Sequence, residues 1–257
     1  MKLGMPTLIE APSLEECFNI AAQLDLSFIE LNMNMPAYHA HALDIERAQQ
    51  LMGETGIGLT MHLDENLNPF DFNPLLRDAH TQTARQAIRA ALALGAPLVN
   101  IHMSTGVYFT LPDRKAYLFA EHRDHYMEMA RQFRAVCEAE IGGGALRVCV
   151  ENCGEFPPYQ TEALEMLLQS KSFGLTFDVG HDHPRRLDEP FILAHKEKLR
   201  HMHLHDALGS SNHLSLDEGE LDWRGKLQLA QSQDCSVVLE IKTIDALSRS
   251  VARLRNR

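Results

Sequence analysis

Short β-forming runs alternate with longer helical patterns along the chain, and this alternation constrains the fold more than any other sequence feature. We predict eight strands, at 2–5, 27–31, 57–62, 97–102, 146–151, 173–178, 199–204 and 236–241. The segments between them are predicted to be helical, most clearly at 13–24, 80–95, 114–140, 160–169, 222–232 and 243–255. This alternation is typical of parallel βαβ units. With 257 residues, the chain suits one (β/α)8 TIM barrel, which takes about 250, so we predict a single α/β domain over 1–257.

The predicted strands carry two kinds of side chain in alternation. In the sixth strand Leu175 and Phe177 alternate with Thr176 and Asp178, and side chains of opposite parity face opposite sides of a sheet. The apolar parity is expected to face the helices and the polar parity the barrel axis. On the axis side, six strands end on a carboxylate or an imidazole, namely His62, His102, Glu151, Asp178, His203 and Glu240. Barrel enzymes place their active sites at this C-terminal mouth.

Four of these residues predict a metal site, with Glu151, Asp178, His203 and Glu240 as ligands. Three carboxylates and one imidazole suit one divalent cation such as Mn²⁺, Zn²⁺, Co²⁺ or Mg²⁺, and a cation offsets the cost of burying carboxylates. Such an ion could polarise a substrate carbonyl. Since Glu151 and Glu240 come from different strands, they could act as catalytic base and acid on two sides of a bound sugar.

Five motifs resemble the xylose-isomerase-like barrel superfamily, which contains sugar and sugar-phosphate isomerases and epimerases and also endonuclease IV. They are VCVEN (148–152), LTFDVGH (175–181), HMHLHD (201–206), NHLSLDEGELDW (212–223) and VVLEIK (237–242). The resemblance implies that Glu151, Asp178, His203 and Glu240 bind one metal and that the two glutamates form the acid/base pair. It also implies that His181 contacts the substrate.

Four further histidines leave two alternatives open. His62, His102, His181 and His213 could bind a second metal or contact the substrate. Together with the four ligands above they match eight of the nine zinc-ligand positions of endonuclease IV. The ninth position, an aspartate in that enzyme, is Ser211 here, so a complete three-metal site is not expected. Sugar 3-epimerases of the superfamily commonly have an arginine where this chain has Gly209, which makes a ketose 3-epimerase less secure than the general class.

Three other polar residues and two long loops are interpreted from their positions alone. Glu30 is predicted either to hydrogen-bond within the barrel mouth or to bind substrate, and His201 and His205 are assigned no metal role. The loops 62–74 and 102–119 contain aromatic residues that we interpret as walls of a small-molecule pocket, because long loops after barrel strands usually cover the site.

Bulk properties narrow the range of partners. The formal net charge of −11 and the pI of about 5.7 disfavour nucleic-acid binding. No stretch is apolar enough to predict a membrane span or a signal peptide, and five cysteines without zinc-knuckle spacing are typical of a reduced, cytoplasmic protein. We expect a small carbohydrate as substrate and consider a homo-oligomer compatible with the sequence.

The sequence thus predicts a divalent-metal-dependent isomerase or epimerase of a sugar, sugar phosphate or polyol, with glutamate-mediated proton transfer through a metal-stabilised enediolate. The alternatives are a zinc phosphodiesterase resembling endonuclease IV, a keto-polyol dehydratase on the same scaffold, and a barrel that binds metal or sugar without catalysis.

Overall fold

Eight parallel strands close into a barrel in the computed structural model, which describes residues 1–255. In chain order, β1 to β8 are Leu3–Pro6, Phe28–Asn32, Gly58–His62, Leu98–His102, Arg147–Glu151, Phe173–Asp178, Leu199–Leu204 and Ser236–Leu239. Each strand pairs with the next, and β8 pairs with β1 to complete the circle. The predicted (β/α)8 barrel and all eight of its strands are confirmed.

Helices follow the strands and pack around the barrel. They are α1 to α10, at Leu14–Gln23, Ile45–Thr55, Pro74–Leu94, Leu118–Glu121, Arg123–Ile141, Pro158–Leu168, Val179–Asp182, Glu189–Ala194, Trp223–Ser232 and Ile244–Arg255. Short 3₁₀ turns lie at Pro36–Tyr38 and Lys196–Lys198. None of the helices in residues 1–255 combines the length and the apolar character that crossing a membrane requires.

Local sequence signals set the ends of these helices. The Ser13 hydroxyl accepts a hydrogen bond from the Glu16 amide and begins α1, as an N-cap should. Gly95 ends α3 with φ of 67°, a left-handed conformation that glycine adopts without a steric penalty.

Two predicted helices have different limits in the structure. Helix α3 begins at Pro74, six residues before the predicted start at 80, because Asn73 caps it and proline is well suited to the first helical turn. The helix predicted over 114–140 is wrong in its first turn, where Lys115–Tyr117 instead pairs as a strand with Tyr108–Thr110. A second hairpin, Asp206–Leu208 with Ser211–Leu214, follows β7.

The aromatic residues of the two long loops contribute mainly to packing. Phe70 is only 1% exposed and packs edge-on against Tyr126, while Phe72 packs against Phe119. Tyr108 and Phe109 lie on an exposed hairpin. The interpretation of these loops as aromatic pocket walls is therefore wrong for Phe70, whose buried ring packs its loop against α5, whereas Phe72 lines a small cavity of about 50 Å³ together with Phe119.

Polar side chains fill the inside of the barrel, as the strand parity predicts. Leu175 and Phe177 of β6 are fully buried in the apolar layer that lies between barrel and helices. The other parity directs Thr60, Asn100 and Thr176 into the interior, each at most 2% exposed. Two of these groups bond to carboxylates nearer the C-terminal mouth, Thr60 to Glu30 and Asn100 to Glu151.

Candidate functional site

The four predicted metal ligands meet at the C-terminal mouth. Glu151 and Asp178 are the last residues of β5 and β6, His203 lies in β7, and Glu240 directly follows β8. One ligand atom of each lies within 4.8 Å of those of the other three. The imidazole Nδ1 of His203 is 3.2 Å from both Glu151 Oε1 and Glu240 Oε2, and 3.8 Å from Asp178 Oδ2. All four residues are buried.

The arrangement fits a divalent cation. Nδ1 of His203 and Oε2 of Glu240 are buried and have no hydrogen-bond partner among the described residues. Unpartnered buried polar atoms are costly, and here they belong to side chains that converge on one point. Three carboxylates and one imidazole nitrogen form a donor set suited to a hard or borderline metal ion.

The two glutamates of this group are held in their charged form. Burial raises the pKa of Glu151 and of Glu240, but the opposing charge of His203 outweighs it and leaves both well below their usual range. Burial likewise lowers the pKa of His203, yet Glu151, Glu30 and Glu240 hold it well above normal. The cluster thus needs a positive charge, which a proton on His203 supplies in the absence of a metal ion.

Glu30 supports His203 from inside the barrel. Its Oε1 lies 3.0 Å from His203 Nε2, and its Oε2 accepts hydrogen bonds from His201 Nε2 at 3.0 Å and from the Thr60 hydroxyl at 3.3 Å. Glu30 is only 2% exposed, so of the two predicted roles the structure supports hydrogen bonding within the barrel and not substrate contact. A carboxylate at Nε2 favours the proton there and leaves Nδ1 free for a metal.

His62 and His102 face the other oxygen of Glu151. Their Nε2 atoms lie 3.2 and 3.3 Å from Glu151 Oε2, which also accepts a hydrogen bond from Asn100. The Leu63 carbonyl accepts a hydrogen bond from His62 Nδ1 at 2.7 Å. Burial lowers the pKa of His62, but the hydrogen bond and charge of Glu151 outweigh it and raise the pKa to about 9. His62, His102 and Glu151 form a second group of side chains able to hold a metal ion. Glu151 belongs both to this group and to the four-ligand group.

His181 and His213 stand at the rim, each with a side chain 21% exposed. The His181 amide donates to Asp178 Oδ1 at 2.7 Å, and its ring Nδ1 lies 3.2 Å from the Asn152 carbonyl. His213 has its Nδ1 3.0 Å from the Glu240 carbonyl, and burial lowers its pKa to about 4. The His213 ring is therefore neutral at neutral pH and can accept a hydrogen bond.

His205 and Lys242 extend the site beyond the predicted set. His205 is fully buried; its Nε2 lies 3.2 Å from Asp178 Oδ1 and its Nδ1 accepts the His213 amide hydrogen at 2.8 Å. With His213 and Glu240 it forms a further group of metal-capable side chains. Lys242 donates to Glu240 Oε1 at 2.6 Å and was missed, although its spacing of two residues from Glu240 is the signal that places both on one side of the chain.

Comparisons with known proteins agree with this architecture. A family model described as "Xylose isomerase-like TIM barrel" matches residues 18–257. Among curated proteins, the uncharacterized protein MJ1311 of Methanocaldococcus jannaschii is 23% identical, with 87% of this chain and 77% of that protein covered.

Several solved structures share the whole fold. A D-tagatose 3-epimerase-like protein superimposes with a TM-score of 0.80 at 21% identity, covering 100% of this chain and 96% of the other. The 3-keto-D-glucoside 4-epimerase YcjR from E. coli gives 0.79 at 16% identity, with both chains fully covered. The IOLI protein with a bound zinc atom gives 0.72 at 13% identity, covering 98% and 96%. At these identities the likeness shows the fold.

Proposed function

The chain belongs to the xylose isomerase-like TIM barrel family, and we propose that it is a divalent-metal-dependent isomerase or epimerase of a sugar or a related polyol. The observation that supports the proposal most directly is the convergence of two glutamates, an aspartate and a histidine on one buried point at the mouth. Sugar epimerases among the similar structures, and the zinc atom in one of them, are consistent with it.

Glu151, Asp178, His203 and Glu240 would hold the cation. When bound, the ion supplies a Lewis acid that polarises a carbonyl and a neighbouring hydroxyl oxygen. Glu30 holds the His203 ring in the tautomer that keeps Nδ1 unprotonated, and His205 holds the Asp178 carboxylate through Nε2. The chain therefore orients the ligands through buried groups that do not themselves reach solvent.

Glu151 and Glu240 are the proposed proton-transfer residues. Each lies 3.2 Å from Nδ1 of His203, Glu151 at the end of β5 and Glu240 directly after β8, and their low pKa values keep both carboxylates unprotonated. One carboxylate would take the proton from the carbon next to the carbonyl, whose electron pair moves to give an enediolate. Returning a proton to the other face epimerises the centre, and returning it to the neighbouring carbon isomerises the sugar.

A phosphodiesterase that cleaves DNA is less consistent with this chain. Ser211 lies in the exposed hairpin after β7, at the position where the third metal of endonuclease IV requires a carboxylate. The net charge of −11 opposes approach of a phosphate backbone. The His62, His102 and Glu151 group could hold a second ion, so the metal count per chain separates the two activities: one or two ions are compatible with the isomerase, and three would contradict it.

The decisive experiment is solvent isotope exchange. Metal-loaded protein is incubated with a panel of ketoses and keto-polyols in D₂O, and carbon-bound deuterium is measured by NMR. We expect deuterium in a substrate of this panel, with exchange reduced about 10²–10⁴-fold by Glu151→Gln and by Glu240→Gln.

Glu138→Gln is the control, because Glu138 pairs with Arg134 on the outside of α5; this variant should exchange normally. Exchange that survives both active-site replacements, or turnover that persists after the metal is chelated, would contradict the proposal.

A further inference from the structure

A cavity of about 340 Å³ lies at the N-terminal end of the barrel, opposite the metal ligands. Its lining comes from the beginnings of strands, including Arg147 at the start of β5, Arg200 at the start of β7 and Ser236 at the start of β8. A second cavity of about 330 Å³ shares Lys2 and Ser236 with it. The face that barrel enzymes use mainly for stability therefore has space for a small molecule.

The arginines of this cavity differ from most others in the chain. Within residues 1–255, every arginine except Arg147, Arg186 and Arg200 lies within 4.0 Å of a carboxylate. Two of these three line the same cavity. In a chain with a net charge of −11, carboxylate partners are abundant, so two uncompensated guanidinium groups in one cavity are unexpected for a purely structural role.

Neutral acceptors hold both guanidinium groups in place. Arg147 Nη1 donates to the carbonyls of Gly144 and Leu146 at 3.0 and 2.9 Å, and Arg200 Nη1 donates to the Leu199 carbonyl at 2.8 Å. These bonds fix the position of each group without neutralising its charge, and the remaining N–H donors are free to bind an anion.

A β-bulge at Arg200 sets the direction of its side chain. The pairing of β6 with β7 shifts register here, so that Arg200 is an extra residue between Leu199 and His201. Such a bulge redirects a side chain. The stem of Arg200 then passes close to Gly174, where a Cβ atom would lie 3.1 Å from Arg200 Cγ. A larger residue at Gly174 would displace the arginine.

The other charged groups of the lining leave the balance positive. Lys2 adds a third cation and has no ion-pair partner among the described residues. Asp234 is the one carboxylate in this lining, but its side chain is 97% exposed and lies 4.0 Å from the amino group of Met1. Three cations around a space of this size suit a ligand with more than one negative charge.

We propose that this cavity binds a phosphorylated small molecule, with Arg147 and Arg200 as the guanidinium donors to the phosphoryl group. Guanidinium groups match the geometry of phosphate oxygens through paired N–H donors. A carboxylate ligand would use the charge of only one arginine, whereas a phosphate monoester near neutral pH is close to a dianion. The proposal does not depend on the reaction at the mouth of the barrel.

The test is calorimetric titration of the full-length protein with inorganic phosphate and with fructose 6-phosphate at constant ionic strength. We expect saturable binding that Arg147→Gln and Arg200→Gln each weaken about tenfold or more, the effect of losing a charge-assisted hydrogen bond. Arg186→Gln is the matched control, because Arg186 also has no carboxylate partner but lies outside the cavity; its affinity should equal that of the unmodified protein.

Three outcomes would overturn the proposal: no saturable binding, binding that neither cavity variant changes, or equal weakening in Arg186→Gln. The second outcome would place the phosphate outside this cavity. Should a glutamine variant fail to fold, Arg200→Lys keeps the charge but loses the paired donors, and a normal affinity in that folded variant would equally contradict the assignment of guanidinium donors.

Discussion

Replacing Glu30 with glutamine is expected to weaken binding of a divalent cation at the four-ligand site without unfolding the barrel. Glu30 lies 3.0 Å from both His203 Nε2 and His201 Nε2. One oxygen therefore accepts a hydrogen bond from His201, and the other lies against the His203 ring as its ion-pair partner. A glutamine has one acceptor oxygen, so one of the two rings must change its protonated nitrogen or lose its partner.

The expected size of the effect comes from that single lost interaction. A hydrogen bond to a charged group contributes about 1.5–3 kcal/mol, and each 1.4 kcal/mol is roughly a factor of ten in affinity. Replacing a group that supports a metal-ligating histidine typically costs about 10–100-fold in metal affinity. We therefore expect Glu30→Gln to bind metal about 10–100-fold more weakly, even when its amide oxygen faces His203, because the negative charge that makes Nδ1 a stronger donor is gone.

Metal affinity is measured by competition with a chelator of known affinity, using Zn²⁺ and Mn²⁺, and circular dichroism checks the fold. Thr60→Val is the matched control: it removes a neutral hydroxyl 3.3 Å from Glu30 Oε2 in the same interior layer and should change the affinity less than about threefold. The reasoning fails if Glu30→Gln binds metal as tightly as the unmodified protein, or if Thr60→Val has an equally large effect.

Two further changes test the packing and the buried charges near the site. Gly180→Ala places a Cβ atom against the buried ring of His205 and should lower the free energy of unfolding, measured in urea, by about 1–3 kcal/mol. Gly53→Ala is the control: no atom lies within 4 Å of the added carbon, so the change should stabilise α2 by up to about 1 kcal/mol. Similar effects at both positions would contradict this. Burial raises the pKa of Asp188 to about 6, so the folded protein holds this proton more tightly than the unfolded chain and loses stability as the pH rises from about 4 to 6. Asp188→Asn keeps an acceptor for the Phe156 amide. It should raise the free energy of unfolding by about 1–3 kcal/mol at pH 7.5 and leave it unchanged at pH 4. An equal gain at both pH values would refute the raised pKa of Asp188.

The fold could be predicted from the sequence because the residue pattern of each strand shows which of its side chains are buried against the helices. Apolar and polar side chains alternate with a period of two, so that the run ending at Glu151, for example, gives the strand, its inward side and its C-terminal end together. The same alternation identified Asp178 and His203 as inward-facing. Once eight such strands close into a circle, their ends must meet, and the distances within the metal group follow from topology.

Interactions between distant parts of the chain could not be predicted in this way. Glu30 and His201 are 171 residues apart, and parity alone does not show which inward-facing groups share one level of the barrel. The hairpin that replaces the first turn of the predicted helix over 114–140 depends on pairing between Tyr108 and Tyr117, which local propensity does not encode. Lys242 differs, since its spacing from Glu240 was visible in the sequence.

The outer histidines, which the sequence could not separate, fall into two groups by what their rings contact. His62 and His102 both direct Nε2 at one oxygen of Glu151, and Nε2 of His102 is buried without a hydrogen-bond partner among the described residues. That is the arrangement of a ligand group. His181 and His213 instead rest their Nδ1 atoms near backbone carbonyls and stand partly exposed at the rim, where a substrate would pass. We therefore expect a second ion on the His62 side and the substrate at the rim, where His213 also forms a metal-capable group with His205 and Glu240.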